Sequence, residues 1–121
     1  IYKTKMAKIK LLECDIQRQV LDYLAIKGLF HWRNNTGMIF SEYKGKKRAF
    51  KMGQVGSPDI FVVKRPSPPI GELLGMIYGL EVKAEKGKQS PAQSEWQVKF
   101  EEAGGKYLII RSLEDVKEVF N

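Results

Sequence analysis

Residues 79–93 read GLEVKAEKGKQSPAQ, and the way this stretch folds decides the architecture. A strand presents residues i and i+2 on one face, so Glu81 and Lys83 stand side by side while Val82 points the other way, into a core. The strand runs into a basic, glycine-containing loop carrying Lys86 and Lys88, and Ser90-Pro91 then opens a helix in a favoured cap arrangement. Alone, Glu-x-Lys is an ordinary exposed ion pair worth under about 1 kcal/mol. Its weight depends on what else in the chain meets it.

Outward from this stretch, the helix after Ser90 carries Ala92, Trp96, Phe100 and Ala103 on one face and ends at Gly104 and Gly105. KYLIIR (106–111) reads as a buried strand, and a last short helix follows Ser112 with Asp115 as its capping acid. Upstream, residues 9–27 have helical spacing of Ile9, Leu12, Ile16, Val20, Tyr23 and Leu24, and Gly28 stops them. Between lie the strand-like pieces LFHWRN, MIFSEY, RAFKM and DIFVVK, then the turn-rich RPSPPIGELLG. The order helix, strands, helix, strand, helix predicts an α/β sandwich with a strand–helix–strand unit at its end. Residues 1–8 are expected to be a flexible lead-in and residues 9–121 a single domain.

The 121 residues are 43% hydrophobic and 29% charged, which suits one packed core rather than a disordered chain. No apolar run reaches the roughly 18 residues of a membrane span, and no signal-peptide pattern opens the sequence. One cysteine, Cys14, excludes an internal disulfide and cannot by itself make a thiolate metal site. These features predict a soluble intracellular protein, in the cytoplasm of a bacterial or phage-infected cell, with no membrane partner. The net charge of +7 favours a polyanionic partner. Lys44, Lys46, Lys47, Arg48 and Lys51 form one basic cluster; Lys83, Lys86 and Lys88 form another.

Two further acids stand out. With Ile16 at zero on a helical wheel of about 100° per residue, Val20 lies near 40°, Glu13 near 60° and Leu24 near 80°. Glu13 thus falls inside the apolar stripe, either as a long side chain snorkelling to water or as a functional carboxylate. In GSPDI (56–60), Pro58 holds Ser57 extended and makes Asp59 the expected first strand residue; the alternative is an Asp that merely ends a turn. If the two strands are neighbours, Asp59 and Glu81 present oxygens to one hard cation. Mg²⁺ takes oxygen ligands and keeps several waters, so two carboxylates and a backbone carbonyl suffice.

Pro58-Asp59 followed by Glu81-Val82-Lys83 resembles the PD-(D/E)xK nuclease superfamily. Within it, the chain is similar to the virus-type replication-repair nuclease (VRR-NUC) family, along ECDIQRQVLDYL, WRNNTG, GSPDI, EVKAEKGKQSPAQ and GGKYLIIRSLEDV. Asp15 offers a competing carboxylate beside Glu13. The resemblance implies a restriction-endonuclease-like α/β fold, a mixed central β-sheet flanked by helices in the order α-β-β-β-β-α-β-α. It implies that Asp59, Glu81 and the main-chain carbonyl of Val82 hold Mg²⁺ or Mn²⁺. Lys83 would orient or deprotonate the attacking water, and Glu13 would reach the site through water or a second metal. Gln93 matches the glutamine that follows the Glu-x-Lys strand in this family. Ser90-Pro91-Ala92-Gln93 is also a capping box, so Gln93 either serves both purposes or only caps.

Arg33 is expected to touch a phosphate, and Asn34 and Asn35 suit a tight turn. His31, beside Trp32, fits packing or solvation better than catalysis. Lys44–Lys51 reads as a hairpin arm. No aromatic–basic alternation suggests base stacking, and no finger or helix-turn-helix appears, so recognition by shape and phosphate is expected, with Arg33, Lys44, Lys46, Lys47, Arg48, Lys86 and Lys88 as DNA contacts. The resulting expectation is a homodimeric, metal-dependent endonuclease for branched DNA, similar to Holliday-junction resolvases. A flap or single-strand nuclease and a non-catalytic DNA-binding module are the alternatives.

Overall fold

The structure, a computed structural model, describes residues 11–35, 38–51, 53–65 and 75–121. Its elements are α1 (Glu13–Ile26), β1 (Phe30–Arg33), β2 (Met38–Tyr43), β3 (Lys46–Lys51), β4 (Ile60–Lys64), β5 (Met76–Val82), α2 (Pro91–Glu102), β6 (Lys106–Ile110) and α3 (Leu113–Val119). Among the described residues no helix is long and apolar enough to cross a membrane.

Four strands form the central sheet in the order β1-β4-β5-β6. β1, β4 and β5 are antiparallel neighbours, whereas β5 and β6 are parallel. A parallel pair needs a crossover, and α2 provides it. Alternation along each strand then divides the sheet into two faces. Ile60 and Val62 of β4, Leu80 and Val82 of β5 and Ile110 of β6 pack with Ile16, Val20 and Leu24 of α1 and Val116 and Phe120 beside α3, every one of them 2% exposed or less. The opposite face carries Phe61, Gly79, Glu81 and Tyr107 under α2. Gly79 must lack a side chain here: a Cβ would lie 2.8 Å from the Pro58 ring and 3.3 Å from Phe100. α2 has no fully buried residue, so this second face is only partly covered.

β2 and β3 pair with each other as a separate hairpin. Lys44 and Gly45 connect them with φ of 50° and 73°, the left-handed pair that a two-residue hairpin turn requires. Residues 41–49 are exposed on both faces. Five strands therefore separate α1 from α2, one more than the order α-β-β-β-β-α-β-α provides, because both arms of this hairpin are strands outside the central sheet.

Local departures from expectation have local causes. α1 begins at Glu13 with Leu12 as its N-cap, so Leu12 is 60% exposed rather than core. Asp15 accepts the Leu12 backbone N–H at 3.3 Å, which fixes the start. The lead-in at residues 1–8, Ile9, and most of RPSPPIGELLG (66–74) lie outside the described residues. KYLIIR is an edge strand, half exposed instead of buried, with Ile109 36% exposed. Asp115 accepts the N–H of Arg111 at 2.8 Å, and the Ser112 side chain makes no cap bond.

Gly56 joins the turn before β4 to the first turn of α2. Its φ is +87°, and an added Cβ would lie 2.6 Å from the Ala92 carbonyl carbon and 3.1 Å from the Gln93 nitrogen, both backbone atoms that cannot swing aside. Gly56→Ala is expected to cost at least about 2 kcal/mol in urea unfolding, from strain and overlap together.

Candidate active site

Two carboxylates meet at the edge where β4 begins and β5 ends. The ladder pairs Ile60 with Leu80, and one step further sets Asp59 opposite Glu81. The Asp59 N–H donates to the Leu80 carbonyl at 3.0 Å, and its carbonyl accepts from the Asn34 N–H at 2.7 Å. Asp59 is thus backbone-bonded on both sides, although regular strand geometry begins at Ile60 rather than Asp59. Its Oδ2 accepts the N–H of Val82 at 2.8 Å. Val82 itself is 2% exposed and points into the core, so burial of its side chain fixes the amide that holds Asp59.

Glu81 is 3% exposed. Its Oε1 accepts from Gln93 Nε2 at 2.8 Å and lies 3.6 Å from Lys83 Nζ. Its Oε2 is buried and, among the described residues, has no hydrogen-bond partner. Gln93 also caps α2: its Oε1 accepts the Ser90 N–H at 2.8 Å, and its own N–H donates to Ser90 Oγ at 3.2 Å. The two purposes are compatible because the cap takes the amide oxygen and leaves the NH₂ for Glu81.

Burial pushes the Glu81 carboxyl up to about 8, and the facing Asp59 charge adds to the rise while Lys83 opposes it. Burial also raises the Asp59 carboxyl, against the bond from Val82 N–H. Two like charges in one dry place disfavour joint ionisation, and a cation removes the conflict. Tyr107, on the same face, has its hydroxyl pushed up to about 12, chiefly by burial.

Glu13 is the first residue of α1 and is exposed, not set in the apolar stripe, because the helix starts there and its wheel position lies beyond the packed turns. Its Oε1 is 3.4 Å from the Ala84 N–H. With Cys14, Gln17, Asp59 and Val82 it lines a cleft of ≈ 320 Å³, which it shares with Asp59 but not with Glu81. Asp15 is committed to the helix cap and does not compete for this cleft. Among the described residues no group of three or more His, Cys, Asp or Glu side chains gathers as a metal cage. The acidic groups that meet here are Asp59 and Glu81, with Glu13 sharing the cleft of Asp59.

The basic residues fall in two regions. Lys86 and Lys88 are exposed on the loop that leaves β5, and Arg33 is exposed at the end of β1 beside the start of β4. Lys44, Lys46, Lys47 and Arg48 are exposed on the separate hairpin. His31 bonds through Nδ1 to the Leu29 carbonyl at 2.7 Å and takes no part in the cleft.

Two supports escape a sequence reading. Asn34 Nδ2 donates to Ser57 Oγ at 2.8 Å and to the Pro58 carbonyl at 2.9 Å, while Ser57 Oγ donates to the Gln54 carbonyl at 2.7 Å. These bonds clamp the turn that aims Asp59. Arg111 Nη1 donates to the carbonyls of Ala84 and Gly87, both at 2.8 Å, and Glu85 at 3.3 Å, gathering the loop after Lys83 around one guanidinium. Asn34 carried a turn signal only, and Arg111 carried none, since each acts on residues more than 20 positions away.

The raised Glu81 carboxyl gives a stability test in metal-free buffer. The folded protein keeps a proton that the unfolded chain releases near 4.5, so its stabilisation is complete below that value and disappears as pH rises through about 8. The melting temperature should therefore fall between pH 5 and 9 by at least roughly 4 °C, equivalent to about 1 kcal/mol. Glu81→Gln, followed by circular dichroism, should flatten that slope.

No family model and no curated protein matches the sequence. A solved structure described as a VRR_NUC domain matches with a TM-score of 0.57 and 21% identity, covering 88% of this chain and 91% of that one. The fold of this chain, a mixed sheet with α1 and α3 on one face and α2 on the other, is that of a VRR_NUC domain, a restriction-endonuclease-like architecture.

Proposed function

We propose that residues 9–121 form one nuclease domain that hydrolyses phosphodiester bonds in structured or branched DNA, with Mg²⁺ or Mn²⁺ as cofactor. The observation that carries this is the Asp59–Glu81 pair, Glu81 buried and Asp59 half-buried, with Lys83 3.6 Å from Glu81 and a buried carboxylate oxygen, Oε2, that has no hydrogen-bond partner among the described residues. A buried carboxylate oxygen with nothing to bond is costly unless a ligand completes it. The hard oxygen donors fit Mg²⁺: Asp59, Glu81 and the Val82 carbonyl would hold it, with Glu13 reaching it through water or a second ion. The ion would neutralise the paired carboxylates and acidify bound water.

The chain's own residues do the rest. Gln93 fixes the rotamer of Glu81 by bonding Oε1, leaving Oε2 for the ligand. Lys83 presents an ammonium beside the carboxylates, where it orients the attacking water and stabilises charge building on the phosphate. Lys86, Lys88 and Arg33 take neighbouring phosphates, and the basic hairpin grips the backbone further out. The substrate is four-way or similarly branched DNA and the active species a homodimer, because a two-fold junction is met by a two-fold enzyme.

Purified protein should cut branched DNA with Mg²⁺ or Mn²⁺ and stop on addition of EDTA. Glu81→Ala and Lys83→Ala should each reduce cutting at least about 100-fold, with DNA affinity in Ca²⁺ changed less than about threefold. On a mobile four-way junction, symmetric paired nicks and a dimeric mass by light scattering are expected. A single cut on one arm of a splayed duplex would replace the junction reading with a flap nuclease. Tight binding without cutting in either metal would leave a DNA-binding module.

A further inference from the structure

The face of the sheet that carries Glu81 also carries a row of aromatic rings that α2 does not finish covering. Trp96 stacks on Phe100 at 4.7 Å and 29°, and both rings contact Phe61, at 6.0 and 6.1 Å. Phe61 stacks on Trp32 at 5.3 Å and 29°, and Trp32 meets the edge of Phe30 at 5.9 Å. The inner rings are packed, but Trp32 is 41% exposed and Phe30 70% exposed. Trp32 is therefore held rigidly by stacking on one side and open to solvent on the other.

Its position relative to the carboxylates follows from register. Trp32 pairs with Phe61, and Phe61 is two residues along the chain from Asp59, which stands at the mouth of β4 opposite Glu81. Two strand residues span roughly 7 Å, about one nucleotide step of a DNA strand. Beyond Phe61, a depression of ≈ 450 Å³ between residues Gln54 and Val55 and the helix is lined by Trp96, Phe100 and Lys99. Arg33 is exposed at the same end of β1.

We propose that Phe30 and Trp32 form a stacking platform for an unpaired nucleobase of the DNA substrate, one step from the cleaved phosphate. This rests on the nuclease reading of the Asp59–Glu81 site. A rigid, half-exposed aromatic face accepts any base, since every base has a π-surface, and Lys99, beside Trp96 and Phe100, supplies a cation for a neighbouring phosphate. A second copy of the chain fits the patch less well. The exposed parts of the two rings amount to roughly 200–250 Å², against about 800 Å² per partner in a stable interface. The platform selects substrates with an unstacked base at a branch point over continuous duplex.

The test is binding by fluorescence anisotropy in Ca²⁺, with a splayed-arm duplex and a fully paired duplex of equal length, and with 2-aminopurine in the single-stranded arm next to the branch. Wild type should prefer the splayed arm and quench the 2-aminopurine. Trp32→Ala should lose roughly 5- to 100-fold in affinity for the splayed arm, and under twofold for the duplex. It should also abolish the quenching, while Trp32→Phe retains most of both. Phe30→Ala, at the exposed rim, should lose part of the same preference and serves if Trp32→Ala melts early. Equal weakening on both substrates, or unchanged quenching, would overturn the proposal. So would a wild-type dimer that Trp32→Ala converts to monomer with discrimination intact, which makes the patch a protein interface. If only the nuclease reading fails, wild type does not cut yet still discriminates the two substrates.

Discussion

Asp59 and Glu81 stand opposite each other one step beyond an antiparallel ladder, Glu81 buried and Asp59 half-buried at the edge of a cleft. Two like charges about 4 Å apart repel by about 4 kcal/mol at an effective dielectric of 20, and burial adds the cost of desolvation. The fold answers with three donors: the Val82 N–H on Asp59, and the Gln93 amide and Lys83 ammonium on Glu81. Among the described residues it leaves Glu81 Oε2 without a hydrogen-bond partner. Protonation relieves part of the conflict, which is why both carboxyls titrate high; a divalent ion would relieve more.

Holding this arrangement in place is the work of the packed side of the sheet. Val82 is fixed by the core formed with α1 and α3, and Ile60 and Leu80 set the register that carries Asp59 to Glu81. The polar supports then act at the exposed ends of these strands, where no hydrophobic burial fixes the backbone. Asn34 and Ser57 clamp the turn entering β4, and Arg111 gathers the carbonyls of the loop leaving β5. Gly56 and Gly79 provide the close approach that lets α2 bring Gln93 down onto Glu81.

The two faces of the sheet thus have different characters. One is sealed by α1 and α3 with aliphatic residues. The other bears Glu81 and an aromatic row, and α2, with no fully buried residue, leaves the row open towards β1. Under the proposed function, an incompletely covered face next to a charged cleft leaves contacts for the substrate to supply. The hairpin of β2 and β3 carries its basic residues on a separate two-stranded sheet.

Several levels of this protein were written in local sequence. Period-2 and period-3.6 patterns, the Ser90-Pro91 cap and the glycine stops give the helices and strands, and the Glu81-Val82-Lys83 alternation gives the faces, because each depends only on residues a few positions apart. The order of strands did not follow from these signals. Nothing local says that β4 lies between β1 and β5, that β2 and β3 leave the central sheet, or that KYLIIR is an edge. Nor could a helical wheel place Glu13, since its exposure depends on where α1 starts, and the Asp15 bond to Leu12 fixes that start. Gln93 shows the division within one side chain: its cap was readable three residues away, but its bond to Glu81 exists only because a crossover helix lands on β5. Sequence by itself determined which residues have the right chemistry. Tertiary structure decided which of them meet, because strand register and helix placement are fixed by burial of the whole core and not by any segment alone.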